Sequence, residues 1–242
     1  MSGSADGLQL DPALCRQRQE RLIGKMTALG AERAVVVQPE HVHYLTGFRT
    51  PHPLLKTAAT LDLDGHCTLA APNKAPHEAA VDDVATFEAQ WHATLRQEQP
   101  LASGQALATA LAQRPSRGPL AVEFSTFGPH FQTLLESRQH SDHVVDIEPS
   151  LWTLRRNKDP DELAMIGRAI ACTDAMYERA REIIEPGITE LVVFNELHAA
   201  AVEVAGEPLT ALGNDYQCNS PGGPPRPRPA QAGELFVLDL GP

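Results

Sequence analysis

The sequence predicts an α/β fold over residues 14–149, followed by longer helices and short strands over residues 150–242. The first observation behind this prediction is a strand at 120–124, a helix at 129–138 and a strand at 144–147, an order typical of helices packed on a sheet. The second is a change of pattern beyond that last strand, where apolar residues recur every three or four positions. We therefore expect two structural regions.

Composition and charge narrow the possible functional classes. The formal net charge of −11 argues against nucleic acid or an anionic membrane as the main partner. No apolar run approaches the roughly 20 residues that a membrane-spanning helix needs. Residues 1–13 lack the basic and apolar regions of a signal peptide, so we expect a disordered leader there. The four cysteines are far apart and show no C-x-x-C spacing, which indicates reduced thiols in a cytoplasmic protein.

The first predicted elements are a helix and a buried strand. An amphipathic helix over residues 16–29 ends at a glycine, and the apolar run at 34–38 forms the strand. The stretch 39–48 is interpreted as a turn into a short apolar segment. Its two histidines, His41 and His43, are expected at the surface rather than as metal ligands.

A hairpin and a further helix are predicted next. Strands at 57–63 and 66–71 flank Asp64-Gly65, a pair that suits a type I′ turn because glycine accepts a positive φ. An Ala/Leu-rich helix at 105–113 follows. Glu123 is expected at the edge or end of its strand, and no residue before 150 is expected to be catalytic.

Two capped helices are predicted after residue 150. Asp159 and Glu162 form an Asp-x-x-Glu capping box at the start of the first helix. Thr189 caps the second helix, which stops at Gly206. The residues expected to face inward are Leu163, Ile166, Ile170, Thr173, Tyr177, Ala180 and Ile184 in the first helix, and Leu191, Phe194, Leu197, Ala201 and Val204 in the second.

The stretch 233–242 carries the strongest candidate for a functional residue. Its apolar run, 235–238, is typical of a strand buried on both faces. Asp239 follows, between Leu238 and Leu240, and a carboxylate flanked by core leucines is costly unless a cation or several donors meet it. Two interpretations stay open on spacing alone: a strand-end residue that caps a turn, and a metal ligand presented from a rigid strand.

Five strings of residues follow one another along the chain: Arg18-x-x-Arg21-Leu22, Tyr44-Leu45-Thr46-Gly47-Phe48, Leu154-Arg155-Arg156-x-Lys158-Asp159-x-x-Glu162-Leu163, Pro186-Gly187-x-Thr189-Glu190 and Gly233-Glu234-Leu235-x-Val237-x-Asp239-x-Gly241. In this order and spacing they resemble the Xaa-Pro aminopeptidase and prolidase family of metallopeptidases, the pita-bread hydrolases. The resemblance covers nearly all of residues 14–242. The first two strings are similar to the creatinase-type N-terminal domain of that family.

The resemblance implies a creatinase-like α/β domain with a mixed sheet over residues 14–149, then a partial α+β pita-bread domain over residues 150–242. In that family two divalent metal ions (Mn, Co or Zn) are held by two Asp, one His and two Glu, and they activate a bridging water. Asp239 matches the first of these ligands, and the other four fall outside the 242 residues. We therefore expect a truncated chain that holds no metal stably and is inactive alone, with no catalytic residue of its own.

One departure from the family concerns substrate binding. Family members usually carry a Pro-His pair about a dozen residues before the strand of the first metal ligand, and that histidine orients the substrate. Pro221 and Gly222 occupy these positions here, and glycine offers no side chain. Arg226 and Arg228, in the Pro-rich run that follows, are alternative partners for a substrate carboxylate, although loop arginines are more often solvated. The run also suits a polyproline II segment that docks to an SH3-like partner.

Three functions stay open at this point. The first is a metal-dependent Xaa-Pro peptidase acting on small peptides. The second is a creatinase-like hydrolase without metals, favoured by Gly222, and the third is a non-catalytic, protein-binding descendant of the fold. The resemblance also implies a homodimer. Because a last apolar strand leaves an exposed edge, we expect residues after 150 to be poorly ordered or to associate with another chain, while residues 14–149 fold independently.

Overall fold

The computed structural model describes residues 9–92, 94–131, 144–209, 211 and 213–241. The chain divides into two compact units. The N-terminal unit spans Leu10–Asp161, and the C-terminal unit contains the residues from Glu162 onward.

The predicted leader is only partly covered by the structure. Residues 1–8 lie outside the described residues. Residues 12 and 13 already belong to the first helix, because Asp11 caps it by accepting a hydrogen bond from the backbone amide of Ala13.

The N-terminal unit contains four helices and eight strands among its described residues. In chain order they are α1 (Pro12–Leu29), β1 (Arg33–Val36), α2 (Pro39–Thr46), β2 (Ala58–Asp62), β3 (Cys67–Pro72), β4 (Asp83–Phe87), β5 (Gln90–Trp91), β6 (Thr94–Leu95), α3 (Gln99–Leu111), β7 (Leu120–Val122), β8 (Val144–Asp146) and α4 (Glu148–Arg155).

Six of these strands form one mixed sheet in the order β4-β3-β2-β1-β7-β8. β2 pairs antiparallel with β1 and β3, whereas β7 runs parallel to β1 and β8. Successive residues of β1 point to opposite faces, and they enter separate cores: Ala34 packs with α1, α2 and α4, and Val35 packs with α3. The sheet is therefore covered by helices on both faces, as the α/β prediction requires.

The N-terminal unit extends beyond the predicted boundary at residue 149. Ile147 and Leu151 are fully buried in the core beneath the sheet, so α4 belongs to this unit. The independent folding of residues 14–149 stays a prediction. Of the helix predicted at 129–138, residues 132–138 lie outside the described residues. The first three residues, Pro129–Phe131, form a 3₁₀ turn.

Two local predictions in this unit are wrong. The stretch interpreted as a turn at 39–48 is the helix α2, which begins at Pro39 and ends at Gly47 in the left-handed conformation. The hairpin between β2 and β3 is correct, but its turn is not type I′. Only Gly65 of the Asp64-Gly65 pair has a positive φ, 88°, and its amide donates to the carbonyl of Asp62 (2.9 Å) in a three-residue loop.

The C-terminal unit is built from two helices and a pair of strands. They are α5 (Pro160–Ile183), α6 (Glu190–Ala205), β9 (Asp215–Cys218) and β10 (Phe236–Asp239), with β9 and β10 antiparallel. Its core contains Met176 from α5, Leu197 from α6 and Tyr216 from β9. Thr189 caps α6 as predicted, since its hydroxyl oxygen accepts a hydrogen bond from the Val192 amide (3.3 Å).

The predicted inward faces of this unit need correction. In α6 the fully buried positions include Val193 and Leu197, whereas Leu191 is 41% exposed. β10 is half-buried rather than buried on both faces, and Leu235 just before it is 76% exposed. In α5 the buried side chains are Cys172, Met176 and Ala180, and four residues of the predicted stripe are exposed: Leu163, Ile166, Ile170 and Tyr177.

Candidate functional site

Asp239 lies exposed at the end of β10, directly opposite Asp215 of β9. Asn214 holds it from two sides: its amide donates to the Asp239 carbonyl (2.9 Å), and its Nδ2 donates to Asp239 Oδ2 (3.1 Å). Among the described residues, Asp239 Oδ1 has no hydrogen-bond partner. Like charges placed directly opposite in a sheet repel each other, so this end of the ladder favours a cation or extra donors.

The loop that follows β9 supplies one of those donors and explains the glycine at 222. The amide of Gly223 donates to Asp215 Oδ1 (2.6 Å), and its carbonyl accepts from the Tyr216 amide (2.9 Å). Gly222 has φ 134°, and a Cβ added there would lie 2.5 Å from Asp215 Oδ1. Since no L side chain fits this conformation, a histidine at 222 requires a different loop structure.

Glu190 is the buried centre of the C-terminal unit, and sequence reasoning missed its role. It is fully buried, and its carboxylate accepts hydrogen bonds from the Cys218 amide (2.9 Å) and from Arg226. Arg226 donates with its amide (2.8 Å), Nε (2.9 Å) and Nη2 (2.6 Å). This carboxylate therefore joins the start of α6, the end of β9 and the Pro-rich loop.

Arg228, the second arginine of that loop, is also paired. It donates to both carboxylate oxygens of Glu234, with Nη1 at 2.8 Å, and its Nη1 lies 2.6 Å from the Cys218 sulfur. Neither loop arginine is simply solvated, because each is held in an ion pair with a glutamate. The sequence offers a signal for only one of these pairs, because Glu234 lies six residues after Arg228, whereas Glu190 lies 36 residues before Arg226.

The ion pairs shift the titration of both glutamates. Hydrogen bonds from Arg226 lower the pKa of Glu190 to about 2, and hydrogen bonds from Arg228 lower the pKa of Glu234 to about 2. Burial raises the pKa of the Cys218 thiol, and the neighbouring Glu190 adds to this shift. The two glutamates are therefore ionised at neutral pH, and the buried thiol is not activated.

The described residues of the C-terminal unit do not complete a metal centre. Over residues 162–209, 211 and 213–241, no three His, Cys, Asp or Glu side chains bring their ligand atoms together as a metal ion requires. Asp239 and Asp215 offer two carboxylates at most, and Asp215 is already engaged by Gly223. The arrangement thus fits one or two ligands of a larger set, and it does not fit the dinuclear site by itself.

Neither of the two histidines expected at the surface of the N-terminal unit is exposed: His41 is buried and His43 is half-buried. His41 is fully buried, and its Nδ1 pairs with Glu123, whose carboxylate also accepts from the amides of Val37 (2.5 Å) and Gln38 (2.9 Å). Glu123 does lie at the end of its strand, but it is fully buried too. These groups tie the ends of β1 and β7 to α2. We assign them no catalytic role.

The fold and these contacts define a protein of two units: a mixed-sheet α/β unit, and a unit of two helices and a two-stranded antiparallel ladder. The family model for the creatinase/prolidase N-terminal domain matches residues 18–156. The chain belongs to this creatinase/prolidase family, which confirms the resemblance found in its sequence motifs.

Curated relatives agree with this assignment. An uncharacterized peptidase from Staphylococcus aureus is 24% identical over 226 residues, which is 91% of this chain and 60% of the relative. A second relative, an uncharacterized peptidase from Staphylococcus epidermidis, is 30% identical over 104 residues, 41% of this chain and 29% of the relative. The chain thus spans about 60% of the length of the first of these relatives.

Solved structures show the same fold. A Xaa-Pro dipeptidase from Bacillus anthracis superposes with a TM-score of 0.71 at 17% identity, covering 94% of this chain and 61% of that protein. A dipeptidase PepE from Mycobacterium ulcerans gives 0.69 at 22% identity, covering 96% and 61%. The prolidase from Pyrococcus horikoshii gives 0.68 at 18% identity, covering 93% and 60%.

Proposed function

We propose that this chain forms part of a metal-dependent peptidase of the Xaa-Pro type, in which Asp239 supplies one metal ligand. The observation that carries the proposal is the position of Asp239: exposed at a strand end, opposite a second carboxylate, and with Oδ1 lacking a partner in the described part of the chain. Carboxylate oxygens presented this way are suitable ligands for Mn, Co or Zn. The substrate class is proposed from the similar structures, which include a prolidase and a Xaa-Pro dipeptidase.

The first experiment is a hydrolysis assay on Xaa-Pro dipeptides with Mn²⁺ or Co²⁺ added. We expect no activity from the 242-residue chain, because the described residues of its C-terminal unit bring at most two carboxylates together at Asp239, those of Asp239 itself and of Asp215. We expect activity from the protein in the form that its cells produce. An intact mass well above 26.2 kDa for that form would be consistent with additional ligands. Turnover by the purified 242-residue chain would refute this part of the proposal.

A second candidate is a hydrolase on the same scaffold with another substrate. Gly222 favours it, because φ 134° and the contact with Asp215 exclude a substrate-orienting histidine in the present loop conformation. Hydrolysis of a non-proline substrate by the metal-free protein would favour this candidate. Inactivity toward every substrate, with stable capture of a protein partner, would favour the non-catalytic descendant instead.

Location and assembly are proposed on more general grounds. All four cysteines are reduced and buried, as suits the cytoplasm. Among the described residues, no helix is long and apolar enough to cross a bilayer. A homodimer is proposed from the family resemblance, and light scattering on the native protein tests it: twice the chain mass is expected, and a monomer would contradict it.

A further inference from the structure

A polar cavity of about 390 Å³ lies in the N-terminal unit, where β1 begins and β2 ends. The turn between β2 and β3 and the segment that follows α3 complete its wall. Ionised side chains dominate the lining: Glu32, Arg33, Asp62, Asp64 and Arg114. None of these residues belongs to the site around Asp239, so the cavity needs an explanation of its own.

An alternating series of ion pairs holds the two arginines of this cavity in place. Arg33 is only 7% exposed and donates to both oxygens of the Asp62 carboxylate, from Nε to Oδ1 and from Nη2 to Oδ2 (2.8 Å). Its Nη2 also donates to the backbone carbonyl of Arg114 (2.8 Å). Arg114 Nε donates to the same Asp62 carboxylate (3.3 Å), and its Nη2 donates to Asp64 (2.5 Å). Both guanidinium groups are therefore oriented before any ligand arrives.

Each arginine keeps unused donors. Among the described residues, the Nη1 atoms of Arg33 and Arg114 make no hydrogen bond, and a guanidinium carries two N–H groups on that nitrogen. Unused acceptors are present as well. The Asp64 side chain is 62% exposed, and each of its oxygens accepts a single bond, from the His66 amide (3.0 Å) and from Arg114.

We propose that this cavity binds a small zwitterion of the α-amino acid class. Its carboxylate accepts from the Nη1 groups of Arg33 and Arg114, and its ammonium group donates to Asp64. Arginine suits the first contact because a guanidinium presents planar, paired donors to a carboxylate. The site is independent of the proposed peptide hydrolysis.

The charges of the lining select against simpler ligands. Three carboxylates face two guanidinium groups, so the lining as a whole repels a plain anion, whereas a plain cation leaves the unused Nη1 donors of the arginines without an acceptor. A molecule with both charges satisfies the unused donors and acceptors together. The volume of about 390 Å³ holds an amino acid with a few waters.

The test titrates the full chain with three small molecules that differ in which charged groups they carry. Binding is followed by NMR at low ionic strength to limit screening. L-alanine has both charges, propionate lacks the ammonium group, and ethylammonium lacks the carboxylate. We expect alanine to bind at least about tenfold more tightly than either of the others, since each loses one charge-assisted contact. Alanyl-alanine, whose charged ends are farther apart, is titrated in the same way. Tighter binding of alanine than of alanyl-alanine is expected for a site that takes free amino acids rather than peptides.

Three single-residue variants test which side chains contact the ligand. Arg114→Gln and Asp64→Asn should each weaken alanine binding about tenfold, with shifts mapping to the cavity. Arg117→Gln is the matched control, because Arg117 is exposed, carries the same charge and does not line the cavity; it should leave binding unchanged. Thermal unfolding verifies that each variant is folded. Equal binding of alanine and propionate, no binding of alanine, or full binding by Arg114→Gln would each overturn the proposal.

Discussion

The two units bury their apolar residues in different ways. In the N-terminal unit a six-stranded sheet separates two cores, and residues of β1 alternate between them. In the C-terminal unit a two-stranded ladder and two helices share a single core, while α5 leaves Leu163, Ile166 and Ile170 exposed. A sheet covered on both faces fixes the orientation of every residue, whereas a helix with apolar residues on two sides does not reveal which side is covered.

The units also use buried charge differently. In the N-terminal unit, Asp62 pairs with Arg33 across neighbouring strands, so the ion pair reinforces a sheet that hydrogen bonds already define. In the C-terminal unit, hydrogen bonds to Glu190 join the start of α6, the end of β9 and the loop at Arg226. Glu123 joins β1, β7 and α2 in the first unit, but β1 and β7 already pair within the six-stranded sheet there. We infer that packing dominates the first unit and that one carboxylate organises much of the second.

The largest expected effect tests which side of α5 is buried. Met176→Ala removes a fully buried side chain and should lower the free energy of unfolding by about 2–5 kcal/mol. Ile170→Ala, on the 56% exposed side, should change it by less than about 1 kcal/mol. Urea denaturation followed by circular dichroism measures both. Equal losses would mean that the exposed side of α5 is covered in the folded protein.

The next effect tests the role of Glu190. Glu190→Ala leaves the buried Cys218 amide without a partner and should cost about 2–4 kcal/mol in the same assay. Glu196→Ala on the same helix removes only a partly exposed pair with Arg179 and should cost less than about 1 kcal/mol. If the two variants are equally stable, Glu190 does not organise this unit.

The pH dependence of the same carboxylate sharpens this prediction. Its pKa falls from 4.5 to about 2 on folding, so its stabilising contribution is complete above pH 4.5 and is lost as the pH falls toward 2. The stability difference between the wild type and Glu190→Gln should therefore shrink between neutral pH and about pH 3. A difference that stays constant over this range would show that the charge of Glu190 contributes nothing.

A smaller effect is expected in the loop beside Asp215. Gly222→Ala combines a positive φ of 134° with a clash against the Asp215 carboxylate, and it should cost about 1–3 kcal/mol. Gly233→Ala is the matched control, because its φ is also positive (83°) but its Cβ meets no atom within 4 Å. The additional loss of unfolding free energy in Gly222→Ala, relative to Gly233→Ala, measures the cost of the clash with Asp215. Equal losses in the two variants would mean that the loop moves to accommodate the added Cβ.

Much of the fold follows from local sequence signals. The strand–helix order predicted an α/β sheet, Gly30 and Gly206 end their helices in the left-handed conformation, and Thr189 caps α6. These signals are local, since each depends on neighbouring residues and a strong backbone preference. The family motifs extended the prediction to the second unit.

The predictions that were wrong or missing share a physical cause: the environment of each residue depends on partners that are distant in the sequence. His41 is buried because Glu123, far away in sequence, supplies its partner. The sequence predicted no role for Glu190, because its partners Arg226 and Cys218 meet it only in the fold. Gly222 marked a missing histidine in the sequence, but its conformation and its contact with Asp215 are visible only in the structure.

The most direct test of the proposed function is the metal content of the native protein, measured by plasma mass spectrometry for the wild type and for Asp239→Asn. We predict stoichiometric divalent metal in the wild type, and loss of metal together with Xaa-Pro hydrolysis in the variant, while its thermal stability in chelator matches that of the wild type. Full metal content and full activity in Asp239→Asn would contradict the assignment of Asp239 as a ligand.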